Sequence, residues 1–162
     1  MAKNKSMATR IDIKSRLRDS MIALLNQHLA DTADLCSQVK QAHWNVKGPH
    51  FIALHELFDK LAEGLEEPVD DIAERVTALG GVARGTARIA AQASRLAEFP
   101  IDRVDGLKAV ALLADRYAAL AASTRNAIEV AGKEGDAGTS DLFTAISRGL
   151  DKALWFLEAH LA

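Results

Sequence analysis

Five side chains between residues 43 and 74 could do chemistry together: His43, His55, Asp59, Asp70 and Glu74. Imidazole nitrogen mixed with carboxylate oxygen is a donor set for divalent first-row metals, and for iron above all where the metal must change oxidation state. Calcium would ask for oxygen alone, and a structural zinc site for cysteines. Placed on one helix at about 100° per residue, with His55 at zero, Asp59 falls at about 40°, Asp70 at about 60° and Glu74 at about 100°. All four share a face. Along the axis, however, Asp59 and Asp70 lie roughly 16 Å apart, whereas donor atoms on one metal sit within about 4 to 5 Å of each other. One helix therefore carries two half-sites.

The numbering suggests how they are completed. In two copies of the helix related by a two-fold axis, facing residues have numbers of constant total, and 55 with 74 gives the same total as 59 with 70. The implied axis passes between Gly64 and Leu65, and Gly64 would let the backbones approach closely there. His55 and Asp59 of one chain would then face Asp70 and Glu74 of its mate, twice per dimer, with His43 swinging in across a short turn. On spacing alone, this metal reading and that of ordinary solvated side chains stand level. His28, His50 and His160 lack carboxylates in any such register and read as surface or core histidines.

Helices must position these groups. Apolar residues recur at threes and fours from Leu17 to Val46, with Asp31 and Lys40 among the polar positions between them, and Gly48-Pro49 stops that helix. A second helix runs from about Pro49 to Leu79 and closes at Gly80-Gly81. Pro68 should kink it, because the apolar series continues beyond, and that kink stands to shift Asp70 and Glu74. Residues 80–102 form a long connection with a short helical piece at about 86–96. A third helix should run from Asp102, as N-cap, to about Val130 with Leu107 inward, and a fourth from Thr139 or Ser140 after a glycine-marked turn. The expectation is all-α: a four-helix bundle with a long central crossover carrying a short extra helix, spanning residues 12–162 after a basic, mobile tail at 1–11.

Composition agrees with one such domain. The 162 residues are 49% hydrophobic and 26% charged, with ten glycines and three prolines, and the net charge of -2 gives no overall attraction to nucleic acid or anionic membrane. Cys36, the single cysteine, cannot form an internal disulfide and reads as a small buried apolar residue. Without a signal-peptide core or a membrane-length apolar run, the expected location is the cytoplasm.

The run from His43 through Trp44, Asn45, Val46, Lys47, Gly48 and Pro49, then Phe51, Leu54, His55, Phe58 and Asp59, then Asp70, Ala73, Glu74 and Arg75, resembles the signature of the Dps family of mini-ferritins, the DNA-binding proteins from starved cells. The likeness covers nearly everything after the tail. It implies a ferritin-like bundle assembled as a homododecamer, with ferroxidase centres at two-fold interfaces: His43, His55 and Asp59 from one subunit, Asp70 and Glu74 from its mate. It implies oxidation of Fe(II), preferably by hydrogen peroxide, storage of ferric mineral in the cavity, and protection of DNA from oxidative damage. Trp44 resembles the tryptophan the family places near the iron, and core packing explains it equally well. The family's acidic entry pore is matched at Asp141, with Glu134 and Asp136 as weaker candidates, and a solvated helix start accounts for Asp141 as readily.

Two other readings remain open. Lys3, Lys5 and Arg10, repeated around a particle, would suit a chromosome-compacting protein that binds phosphate through its tails, located at the nucleoid. An inert helical bundle is the third.

Overall fold

The computed structural model describes residues 7–101 and 105–162. Its five helices are α1 (Ser15–Asn45), α2 (Phe51–Ala78), α3 (Ala87–Ala93), α4 (Gly106–Glu134) and α5 (Ala137–Glu158), with no strand among the described residues. The long helices form a bundle in which α1 pairs most extensively with α2, and α4 with α5, while α3 lies on α1 within the crossover. This is the all-α arrangement that the apolar periodicity anticipates.

Each long helix contributes a stripe to one core. Leu25, Leu29, Leu35 and Val39 of α1 meet Leu54, Phe58, Leu65 and Ile72 of α2, and Val110, Leu113 and Tyr117 of α4 meet Phe143, Ile146 and Leu150 of α5. Burial of each such side chain contributes about 1.5–3 kcal/mol. Leu107 departs from expectation: it lies in the first turn of α4 and is 47% exposed.

The helix ends follow capping chemistry more closely than apolar spacing. The expected cap of the third helix, Asp102, lies outside the described residues; Asp105 caps α4, its carboxylate accepting from the Lys108 N–H at 3.0 Å. That helix runs past Val130 and Gly132 to Glu134, because only Gly135 adopts the left-handed conformation (φ 90°) that ends it. Asp136 then caps α5, which starts at Ala137 rather than at Thr139.

The crossover is strapped down by polar groups. Asp31, expected on the solvent side, is buried: its carboxylate accepts from the Arg95 backbone N–H at 2.8 Å and from the Arg95 guanidinium at 2.5 and 3.0 Å. Buried Arg116 of α4 donates to the Glu98 carbonyl and to Gln38. At the other end, Met7 donates its N–H to the Gly80 carbonyl, so the chain is tied to the body from residue 7 onward. No described helix is long and apolar enough to cross a membrane.

Candidate metal centre

α1 ends at Asn45, so the His43 carbonyl has no intrahelical donor. The short turn brings α2 back antiparallel, and His55 fills the vacancy: its Nδ1 lies 3.0 Å from the His43 carbonyl, while the His43 Nδ1 lies 2.8 Å from the His55 carbonyl. A carbonyl only accepts, so both Nδ1 atoms carry a proton, and Nε2 is the nitrogen of each ring left to act as a ligand. The rings stack, with centroids 3.8 Å apart and planes inclined by 21°. His43 turns its Nε2 toward Asp59 Oδ1 at 3.8 Å. An imidazole whose second nitrogen donates to a fixed carbonyl is held in one orientation, which is the arrangement that suits a metal ligand.

Asp59 also accepts from Lys40 Nζ at 2.5 Å. The Lys40 hydrogen bond is the main reason the Asp59 carboxyl lies below its usual range, and the same bond raises the Lys40 ammonium. A cation thus already occupies the carboxylate that a metal would use. Lys40 was invisible as a site residue in the sequence, where it reads as a solvated helix position.

The other half is placed differently. α2 continues unbroken through Pro68, which has no N–H for the Gly64 carbonyl. Asp70 and Glu74 lie beyond it, exposed, and neither side chain has a partner among the described residues. Within those residues, no three His, Cys, Asp or Glu side chains gather as a metal-binding group. One chain thus stacks His43 on His55 and turns His43 toward Asp59, short of a three-ligand group, and leaves Asp70 and Glu74 apart from them.

Gly64 lies off the ligand face. By helical phase it stands about 130° from the centre of the ligand face, and it lines a groove of about 480 Å3 between α2 and α5 together with Leu57, Pro68 and Gly149. Its phase turns it away from the ligand face, toward α5. The residues that lie on the ligand face beside the implied axis are Glu63 and Glu66, whose numbers give the same constant total. A Cβ at Gly64 would meet nothing within 4 Å, and its φ is not positive. Gly64→Ala is therefore expected to raise stability by about 0.5–1 kcal/mol and to leave the assembly unchanged, as melting temperature and native mass would show.

Trp44 is 64% exposed, which removes the core-packing account; its indole stands in the open beside His43. Ile52, on the same face of α2 as the candidate ligands, is 61% exposed. Asp141 is exposed near the start of α5. Asp136, by contrast, is buried and bonded to Thr139 and Arg75, so it does not line an opening. Lys3 and Lys5 lie outside the described residues, and Arg10 is exposed.

The family model of the ferritin-like domain matches residues 22–162. A DNA protection during starvation protein of Agrobacterium fabrum is 43% identical over 157 residues, which are 97% of each chain. Among solved structures, DpsA14 from Streptomyces coelicolor is 36% identical with a TM-score of 0.92, covering 99% of this chain and 95% of that one. The Vibrio cholerae O1 Dps protein, titled a member of a broad superfamily of ferritin-like diiron-carboxylate proteins, is 28% identical with a TM-score of 0.89, covering 98% and 99%.

Proposed function

We propose, for a chain that belongs to the Dps branch of the ferritin-like family, that it binds Fe(II) as substrate at sites shared between two-fold related subunits and oxidises it there. His43, His55 and Asp59 supply one side of each site, and Asp70 and Glu74 of the neighbouring copy the other. The observation that carries this reading is the reciprocal bonding of His43 and His55, which orients both rings and turns the His43 Nε2 toward the Asp59 carboxylate. Exposed Ile52 on the ligand face, and Trp44 at the edge of the same half-site, support a face covered by another subunit.

The chemistry follows from charge. Clustered carboxylates repel one another when empty, a cation relieves that repulsion, and anionic oxygen donors favour Fe(III) over Fe(II). Two Fe(II) ions give two electrons to one hydrogen peroxide, which takes two protons and leaves as two waters, so no hydroxyl radical is released. Trp44 stands where it would meet a stray oxidising equivalent. In a dodecameric cage the ferric product is stored as mineral inside, with Asp141 on the entry path, and DNA is spared the damage. Anaerobic Fe(II) titration followed by peroxide tests the reading, and absence of stoichiometric Fe(III) formation overturns it.

Lys40 makes the site self-occluding. Fe(II) must displace an ammonium from Asp59, so Lys40→Gln is expected to tighten anaerobic metal binding by up to about fivefold, the scale of an exposed ion pair. Calorimetry at low and moderate salt checks this, and the gain should shrink as salt screens the pair in the wild type.

The name of the Agrobacterium relative and the exposed position of Arg10 favour a second role in DNA contact through Lys3, Lys5 and Arg10. Gel shifts at two salt concentrations, with residues 1–11 present and removed, test it; equal retardation by both forms excludes the tail.

A further inference from the structure

Arg75 follows Glu74 in sequence yet points elsewhere. It lies on α2 about 100° from Glu74 and about 140° from Asp70, and its guanidinium reaches the turn between α4 and α5. There Nη2 donates to Asp136 Oδ1 at 2.7 Å and Nε donates to Thr139 Oγ1 at 3.0 Å. The seat is built for it: Asp136 is buried and already fixed by the Thr139 N–H at 3.0 Å and the Thr139 hydroxyl at 2.6 Å. A Cβ on Gly138 would stand 3.0 Å from Nη2, so a side chain there would push the guanidinium by a few tenths of an ångström. Two donors on a rigid plane meeting two acceptors on one turn define rotation as well as distance.

We infer that Arg75 is a positioning residue for the half-site of Asp70 and Glu74, which rests on the reading of those carboxylates as Fe(II) ligands given above. Pro68 explains the need. The backbone ladder is interrupted between Gly64 and Pro68, so the last turns of α2 are coupled less stiffly to the half that carries His55 and Asp59. Asp70 and Glu74 have no side-chain partner among the described residues, and their placement depends on what holds the backbone beneath them. Ile72 and Val76 press that backbone into the core, but apolar contact tolerates sliding and rotation. The Arg75 fork removes both freedoms from a face turned away from the carboxylates, and a ligand displaced by even about 1 Å loses much of its effect.

The test uses Co(II) as a probe, under argon, on wild-type, Arg75→Lys and Gly138→Ala proteins whose native mass shows full assembly. Lysine keeps the charge and loses the fork, whereas Gly138→Ala keeps Arg75 and pushes it from behind. Thr139→Val, which removes the Nε acceptor, stands in for either variant if it fails to assemble. Arg75→Lys is expected to weaken Co(II) affinity about tenfold and to alter its visible absorption band, with Gly138→Ala giving a smaller shift in the same direction. Variants with lowered melting temperature but wild-type affinity and spectrum would show Arg75 to be a structural bridge only. A wild-type protein that binds no Co(II) would overturn the metal reading itself, and this inference with it.

Discussion

Asp59→Ala and Asp70→Ala proteins, each assembled alone, are expected to lose Fe(II) oxidation by about a hundredfold or more, while particles assembled from an equal mixture regain about a quarter of wild-type activity. The fraction follows from the two-fold axis. In a mixed dimer, one site collects both lesions and the other receives Asp59 from the Asp70→Ala chain and Asp70 from the Asp59→Ala chain, so it is intact. Half the dimers are mixed under random pairing, and half of their sites work. Stopped-flow absorbance of ferric product, at fixed subunit concentration, reads the result. Sites contained within single chains would give no recovery, because every chain in the mixture carries a lesion.

Helical spacing in the sequence was enough to put His55 and Asp59 on one face and to show that Asp70 is too far along the axis to join them. It was not enough to place what surrounds them. Lys40 is one helix turn before His43 and reads as solvated, yet the antiparallel return of α2 carries Asp59 to its ammonium. The histidine tautomers were equally hidden, since they depend on a carbonyl left over at the end of α1 meeting a ring on α2. The side to which Gly64 turns was hidden too: the numbering puts it at the midpoint between half-sites, and its helical phase sets it in the groove beside α5.

The fold shows the same division between local and distant causes. Apolar periodicity located all four long helices and the short α3, because one buried face is a local pattern. Asp31 looked like a surface residue because its partner, Arg95, is 64 residues away on the crossover, and no local pattern signals that bond. Gly132 resembled a helix stop, but glycine ends a helix only where the backbone turns left-handed, and that occurs at Gly135. Capping residues chose the boundaries: Asp105 and Asp136 each accept the N–H three residues on, and both helices begin there.

Asp136→Ala is expected to cost about 2.5–4 kcal/mol, the largest stability loss foreseen for a single polar group. The cap on α5 accounts for about 1 kcal/mol, and the charge-assisted bond to Arg75 for about 1.5–3 kcal/mol because its removal strands a guanidinium whose seat was built around a carboxylate. At this chain length, that is a melting-temperature loss of roughly 10 °C, measured at equal subunit concentration. Burial alone would raise the Asp136 carboxyl, but its two bonds from Thr139 and the adjacent Arg75 outweigh burial and hold it below the usual carboxylate range. The contribution is therefore complete above the unfolded value of about 3.9 and fades as pH falls through the lower folded value. The gap between wild type and Asp136→Ala should stay constant from pH 8 to about 5 and close below about 4. Asp136→Asn keeps an acceptor for the cap and loses only the charge, so it should fall between the two. A gap still undiminished well below the folded value would show that burial and shape at Asp136, rather than its ionisation, secure the end of α2 to the α4–α5 turn.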